Sequence, residues 1–219
     1  LHRLIRRQRQ MCIRDRTHIY TTTTGSMKNA FGGLLNEKRH YAHSFIHEVL
    51  VDLLALQKEI HTGIFTVMDG TTAGDGAGPR TLKPVEANLI LASSDSVAID
   101  AVAAFIMGFD PLSIPYIRIA DELGLGVGRI SDIEIVGERI DKALFRFRVK
   151  NNAVCLVGDF LWFGPLKYIQ WLFFRTPLVY LFIIASFIYH DFIWWNIKGK
   201  RIFNNWLKNN PWGKLFSSY

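Results

Sequence analysis

The sequence predicts an α/β fold, a layered, largely parallel sheet with flanking helices, followed by an aromatic-rich helical C-terminal appendage. Three observations predict it. Helical and strand patterns alternate through residues 39–150, as in chains that lay helices over a sheet. The two clearest strand candidates, "IFTVMDG" and "ANLILASS", are short apolar runs of the kind buried on both faces. Beyond residue 150 the texture changes to hydrophobic, tryptophan-bearing sequence with a basic end.

Each element has its own signal. In "TGSMKNAFGG", Ser26 suits the cap of a short helix carrying Lys28 and Asn29. "RHYAHSFIHEVLVDLLALQKEIH" reads as one amphipathic helix with Phe45, Val49, Leu53, Leu56 and Ile60 on its apolar face and Gly63 beyond its end. A glycine-rich loop, residues 69–80, then separates the two strand candidates. "SDSVAIDAVAAFIMG" is a helix capped by Ser94 or Asp95 and stopped by Gly108. "SIPYIRIADELGLG" is another, with Pro115 in its first turn. "DIEIVGE" predicts a further strand, and "LFRFRVK" alternates as an edge strand. Near the end, "YIQWLFF" and "PLVYLFIIASFIY" are divided by Arg175, Thr176 and Pro177. The second piece falls short of the roughly 20 apolar residues that span a bilayer. Trp194, Trp195, Trp206 and Trp212 alternate with Lys198, Lys200, Arg201, Lys208 and Lys214. That mixture suits a helix lying at a membrane surface; the alternative is a helical appendage packed on the α/β domain.

Residues 1–16 fit neither template. Back-translation of "RRQRQMCIRDR" reproduces the adapter of transposon-based short-read library preparation through Asp15 and into Arg16. Leu1 and His2 match the end of the upstream flow-cell sequence. The segment is set apart as adapter-derived, leaving 17–150 as an N-terminally truncated α/β domain and 151–219 as a hydrophobic, aromatic and basic helical tail. It holds six Arg and one Asp, so it supplies +5 of the formal net charge of +7 and leaves +2. A balance so near neutral does not point to nucleic acid. Without Cys12, Cys155 is the single cysteine, which excludes an internal disulfide and any cysteine-ligated iron–sulfur cluster held by this fragment alone. It fits a reducing compartment. The cytoplasm is the favoured location, with a membrane surface as the alternative.

Four stretches carry candidate chemistry. "THIYTTTTGSMKNAFGG" sets hydroxyls and a lysine beside a helix start, whose free N–H groups suit a small anionic ligand. In "DGTTAGDGAGPR", which follows a predicted strand, Asp69 and Asp75 are placed to hold a metal or accept a substrate hydroxyl. Asp100 sits on an apolar helix, where a carboxylate demands a cation or N–H donors. Lys28 is the preferred cation, but a structural role, holding a helix start or a loop, is favoured by a small margin. His43 and His47 are four apart on one helical face, with His40 a turn earlier, a spacing that can chelate a metal.

Thr17-His18, "TGSMKNAFGG", a His-bearing helix, "VMDG…GDGAGP" and "LILASSDSVAIDAVAAFIMG", in that order, resemble the domain-of-unknown-function family numbered 362. The resemblance covers roughly residues 17–140 and implies one recurrent polar set: His18, Thr24, Gly25, Lys28, Asn29, His40, Asp69, Gly76, Gly78, Pro79 and Asp100. The family's lysine before Thr-His is replaced by the adapter's Arg16. Many members carry ferredoxin-like cysteines, which implies an iron–sulfur-linked redox protein whose cluster part lies outside this fragment. Two functional expectations follow. In the first, an enzyme or ligand-binding domain uses Lys28 for charge, Asn29 as donor, Asp69 as base or metal ligand and His18 beside them, with Thr24, Gly25, Gly76, Gly78 and Asp100 lining the pocket. In the second, the tail anchors an interaction protein at a membrane surface. The missing N-terminal segment of the chain is a further expected partner.

Overall fold

The computed structural model describes residues 12–35, 42–78, 80–140, 144–149, 156, 160, 164–169, 171–172 and 176–218, with side chains from residue 16 onward. Two short strands lead, β1 (Cys12–His18) and β2 (Thr22–Thr24). Helices α1 (Ser26–Leu34) and α2 (Ile46–Ile60) follow. The long strands β3 (Thr66–Ala77) and β4 (Thr81–Ser93) precede α3 (Ser96–Met107) and α4 (Pro115–Glu122).

The four strands form a mixed sheet in the order β2-β1-β3-β4. Only β1 and β3 run parallel, and they pair through Cys12, Ile13, Arg14 and Arg16, residues of the segment that the sequence sets apart as adapter-derived; β1 with β2 and β3 with β4 are antiparallel. The expectation of a largely parallel sheet is therefore corrected, and the cause is local. The stretch expected as a loop, residues 69–80, is mostly strand: β3 runs to Ala77 and turns directly into β4, pairing Ala77 with Thr81. Its glycines serve close approach. A Cβ on Gly78 would overlap the Thr17 carbonyl oxygen, and one on Gly74 would lie 2.8 Å from Leu82 Cδ1. Glycine within a strand marks such contacts as well as loops.

The helices α1 to α4 bury one face of the sheet. Met27, Phe31, Ile46, Leu50, Leu54, Val97 and Ile117 form the main core between them. Each such side chain contributes about 1.5–3 kcal/mol by leaving water. Met68 of β3 packs on Ile99 and Ala103 of α3, and Ala73 packs on Met107 and Phe147. The buried stripe of α2 is Ile46, Leu50, Leu53, Leu54 and Gln57, whereas Phe45 (65% exposed), Leu56 and Ile60 face solvent. Leu53 is buried and Val49 packs against the core as expected, but packing against α1 and α4 rotates the buried face toward Ile46, Leu50 and Leu54.

Several stops follow the sequence closely. Asp95 accepts from the N–H groups of Val97 (2.8 Å) and Ala98 (3.0 Å), and Gly108 ends α3 at φ +92°. Pro115 opens α4. The two further strands do not form. Ile130–Asp132 is a single tight helical turn, after which Val136 is 88% exposed, with no strand beside it among the described residues. In residues 144–149, Phe147 is buried and Phe145 packs beside it, so the alternation is real. Yet the N–H groups of Leu144, Phe145 and Phe147 bond to Ile106 and Met107 carbonyls, serving the open end of α3 instead of a strand.

The C-terminal helices exist as expected. Val179–Phe187 (α5) passes without a break into a wider, π-helical stretch, Ile188–Gly199, then α6 (Lys200–Asn209) and α7 (Pro211–Ser217). They dock on the β3–β4 hairpin through Arg80 to Asp191 (2.8 Å), Asn210 to Glu86 and Trp212 Nε1 to Asn88. Among the described residues, no helix is long and apolar enough to cross a membrane.

Candidate functional site

The threonine run lies against the helices, and the hydroxyls of Thr21 and Thr23 find partners. Thr17 is fully buried and donates to the carbonyls of Gly76 (2.7 Å) and Gly74 (3.2 Å). Thr21 donates to the Thr23 carbonyl, and Thr23 shares a hydrogen bond of 2.9 Å with the hydroxyl of buried Tyr116. Ser26 and Thr66 pair at 2.8 Å. The Thr24 hydroxyl is shut off from solvent with no hydrogen-bond partner among the described residues.

Asp100 takes the structural role, holding a helix start, instead of a pairing with Lys28. Its carboxylate accepts from the N–H groups of Ser26 (2.5 Å) and Met27 (3.1 Å), so α3 supplies the start of α1 with its cap. Ser26 therefore does not cap its own helix; Gly25 occupies that place without a side-chain hydrogen bond. A Cβ on Gly25 would run into Asp100 Oδ1, which explains a glycine there. The N–H groups expected to receive an external anion already hold an internal one.

A basic cluster forms beside this cap. His18 Nδ1 accepts from the N–H groups of Tyr20 (3.2 Å) and Thr21 (3.4 Å), which places the proton of the neutral ring on Nε2. Lys28 Nζ bonds Thr21 Oγ1 at 3.2 Å. Part of the Lys28 side chain reaches solvent, whereas its amine end is enclosed. Burial, and then the charge of Arg16, hold the amine well below its ordinary pKa. Burial, followed by the charges of Lys28, His43 and Arg16, pushes His18 down to about 2. His47 is lowered chiefly by burial and also by Lys28, against upward pulls from Glu48 and a hydrogen bond to the Tyr20 backbone. The ring of His47 stacks on Tyr116 at 6.1 Å, and His43 meets Tyr20 and Phe31 edge-on.

Of the residues singled out by sequence, the structure gathers His18, Lys28, His43 and His47, with Thr24 and Gly25 nearby. Asp69 is elsewhere. Because Thr66 and Met68 face the helices, strand alternation sends Asp69 to the opposite face, where its carboxylate accepts from Thr71 N at 2.9 Å across an irregularity in β3. Asp75 accepts from Arg148 N at 2.8 Å and so fastens residues 144–149. Gly76 and Gly78 make room for Thr17. Asn29 is half-buried on α1. His40, Pro79 and Cys155 lie outside the described residues. Among the described residues, no three His, Cys, Asp or Glu side chains are placed to hold a metal ion. An iron–sulfur cluster does not fit either: the chain has two cysteines, and such clusters take about four thiolates.

Sequence reasoning took Thr21 only as one of the threonine run, and missed Tyr20 and Tyr116. A signal existed for the last. A tyrosine on the apolar face of an amphipathic helix needs a partner for its hydroxyl when buried, and a four-threonine run offers several.

Comparison with known proteins agrees with the motif order. Residues 14–105 match the sequence model of the family described as Domain of unknown function (DUF362). The chain is also 31% identical over 117 residues to the thylakoid-associated protein sll1697 of Synechocystis sp. (strain ATCC 27184 / PCC 6803 / Kazusa). That match covers 50% of this chain and 35% of the relative, so the chain spans about a third of the relative's length. No solved structure matches.

Proposed function

We propose, from a chain whose residues 14–105 carry the DUF362 pattern, that the domain binds a small anion, a phosphate or carboxylate group, in the cluster of His18, Thr21, Lys28, His43 and His47. One observation carries the reading. The Lys28 amine is enclosed among other bases, and among the described residues its hydrogen bond goes to a neutral hydroxyl and no carboxylate offsets its charge. An arriving anion supplies the missing counter-charge and draws a proton onto the amine. His18 Nε2–H and the Thr21 hydroxyl are donors at hand for its oxygens. Residues 1–16 are taken as adapter translation in this reading. The resembled family places lysine where Arg16 stands, and that residue is lost from this chain.

Calorimetric titration of the full chain with inorganic phosphate at pH 8, in two buffers of different ionisation heat, tests this. The expected result is saturable binding with proton uptake, lost in Lys28→Met while the far-UV circular dichroism is unchanged. Absence of binding, or binding that Lys28→Met leaves intact, overturns it.

A second reading concerns location. Tyr180, Leu181, Ile184, Phe187, Ile188 and Phe192 are all exposed on α5 and the stretch after it, with Lys198, Lys200 and Arg201 beyond. Apolar residues followed by lysines suit an anionic bilayer surface, and the cyanobacterial relative is by name thylakoid-associated. Co-sedimentation with phosphatidylglycerol vesicles, weakened by Leu181→Ser combined with Ile184→Ser, supports it. Equal recovery in the supernatant with and without vesicles refutes it.

A further inference from the structure

We infer that Lys28 is a nucleophile, and that the chain captures a small aldehyde by forming a Schiff base on its side-chain nitrogen. The geometry of one hydrogen bond carries this. Lys28 Nζ lies 3.2 Å from Thr21 Oγ1, and the Thr21 hydroxyl already gives its hydrogen to the Thr23 carbonyl at 2.8 Å. A hydroxyl has a single hydrogen, so towards the amine Thr21 acts as acceptor. The amine is therefore the donor, and a neutral amine that donates one N–H to Thr21 keeps its lone pair out of that bond. Among the described residues no carboxylate pairs with Lys28 to hold it as an ammonium ion.

The surroundings fit that use. Burial, which does not depend on Arg16, is the larger of the two causes that disfavour the charged amine. A lysine desolvated in this way is the kind that attacks carbonyl carbon. The cluster is not sealed: Tyr20, Lys28, His43 and His47 are each partly exposed, so a small molecule can enter among them. His18 lies close enough for its titration to feel Lys28, and its Nε2–H is a donor for the carbonyl oxygen. The turn that sets Thr21 against the amine is strained, with Thr22 at φ +60°. A β-branched residue seldom adopts that conformation, and such strain gathers at functional sites. In the reaction the Lys28 nitrogen bonds to the aldehyde carbon and the C=O π electrons move to oxygen. That oxygen then leaves as water with both amine hydrogens, and a C=N bond remains. No oxidant or reductant is consumed. The inference shares a cluster with the anion reading but rests on the lone pair of the amine and not on its charge.

The test treats the full chain at pH 7 with propanal and sodium cyanoborohydride, which reduces the Schiff base to a stable propyl amine, and locates the label by peptide mass mapping. At that pH an ordinary lysine is neutral in about 1 molecule in 2,500. Lys28 should therefore carry at least about tenfold more label than the exposed Lys58, Lys83, Lys198 and Lys200. In denaturing urea, where the fold no longer shields the amine, the preference should vanish. Label at Lys28 no greater than at those four lysines overturns the inference. So does a preference that persists in the unfolded chain, since it would come from local sequence and not from the cluster. An adduct at Lys28 in a chain that binds no phosphate would remove the anion reading and uphold this one; phosphate binding without the adduct would do the reverse.

Discussion

Replacing Gly25 by alanine should damage one contact, and removing its partner should cure the damage. The added Cβ would run into Asp100 Oδ1 and lie 2.6 Å from its Cγ, so the carboxylate must move. Moving it breaks the hydrogen bonds to Ser26 N and Met27 N and strands a charge at a position 1% exposed. Breaking a buried charge from its partners costs about 3–5 kcal/mol. Asp100→Ala alone leaves the two N–H groups unpaired, at about 1–3 kcal/mol each. In the double variant the Cβ added at Gly25 meets the space the carboxylate left, and its further cost should fall below about 1 kcal/mol. The predicted coupling is therefore at least about 2 kcal/mol, well above what independent sites show. Urea unfolding followed by circular dichroism measures it; with a slope of about 1–3 kcal/mol/M, a 2 kcal/mol change moves the midpoint by about 1 M. Additivity within about 0.5 kcal/mol would refute the trans cap as the reason for glycine at 25.

Three other outcomes follow from the same geometry. His18 stays neutral when folded and titrates near 6.5 when unfolded, so the unfolded chain binds the extra proton and stability falls as pH drops below about 6.5. At about 1.36 kcal/mol per pH unit the loss reaches about 2 kcal/mol at pH 5, and urea midpoints measured from pH 8 to 5 should flatten in His18→Gln. Tyr116→Phe should cost about 1–2 kcal/mol by thermal or urea unfolding, since it deprives the buried Thr23 hydroxyl of its partner. Gly78→Ala should lower the melting temperature sharply, because its Cβ would overlap a backbone oxygen that cannot swing away, whereas Gly63→Ala meets nothing within 4 Å and should be neutral or slightly stabilising.

What sequence could show here was mostly punctuation. Asp95, Gly108 and Pro115 act through their own backbone neighbours, so their roles are written locally and are legible. The glycines of residues 69–80 act on a strand some sixty positions away, and a local pattern cannot distinguish close approach from a loop. The hairpin, and with it the antiparallel character of the sheet, is hidden there. The buried face of α2 is equally hard to read, because Phe45, Leu56 and Ile60 are as apolar as Ile46, Leu50 and Leu54; only the neighbouring helices decide between them. In the candidate site, His18 and Lys28 are legible as a motif. The demand of Asp100 for N–H donors or a cation is also legible, but which of these meets it depends on where α3 lands.

The cap on α1 has a consequence in time. Asp100 lies 74 positions after Ser26, so the helix bearing Lys28 is made long before the carboxylate that fastens its first turn. At a synthesis rate of about 5–20 residues per second, that interval is about 4–15 s. A nascent chain must hold the segment around Lys28 through that wait with its first N–H groups open to water. Ordering of the basic cluster is thereby deferred until α3 has emerged, and a ribosome stalled ahead of Asp100 would display the motif without its geometry.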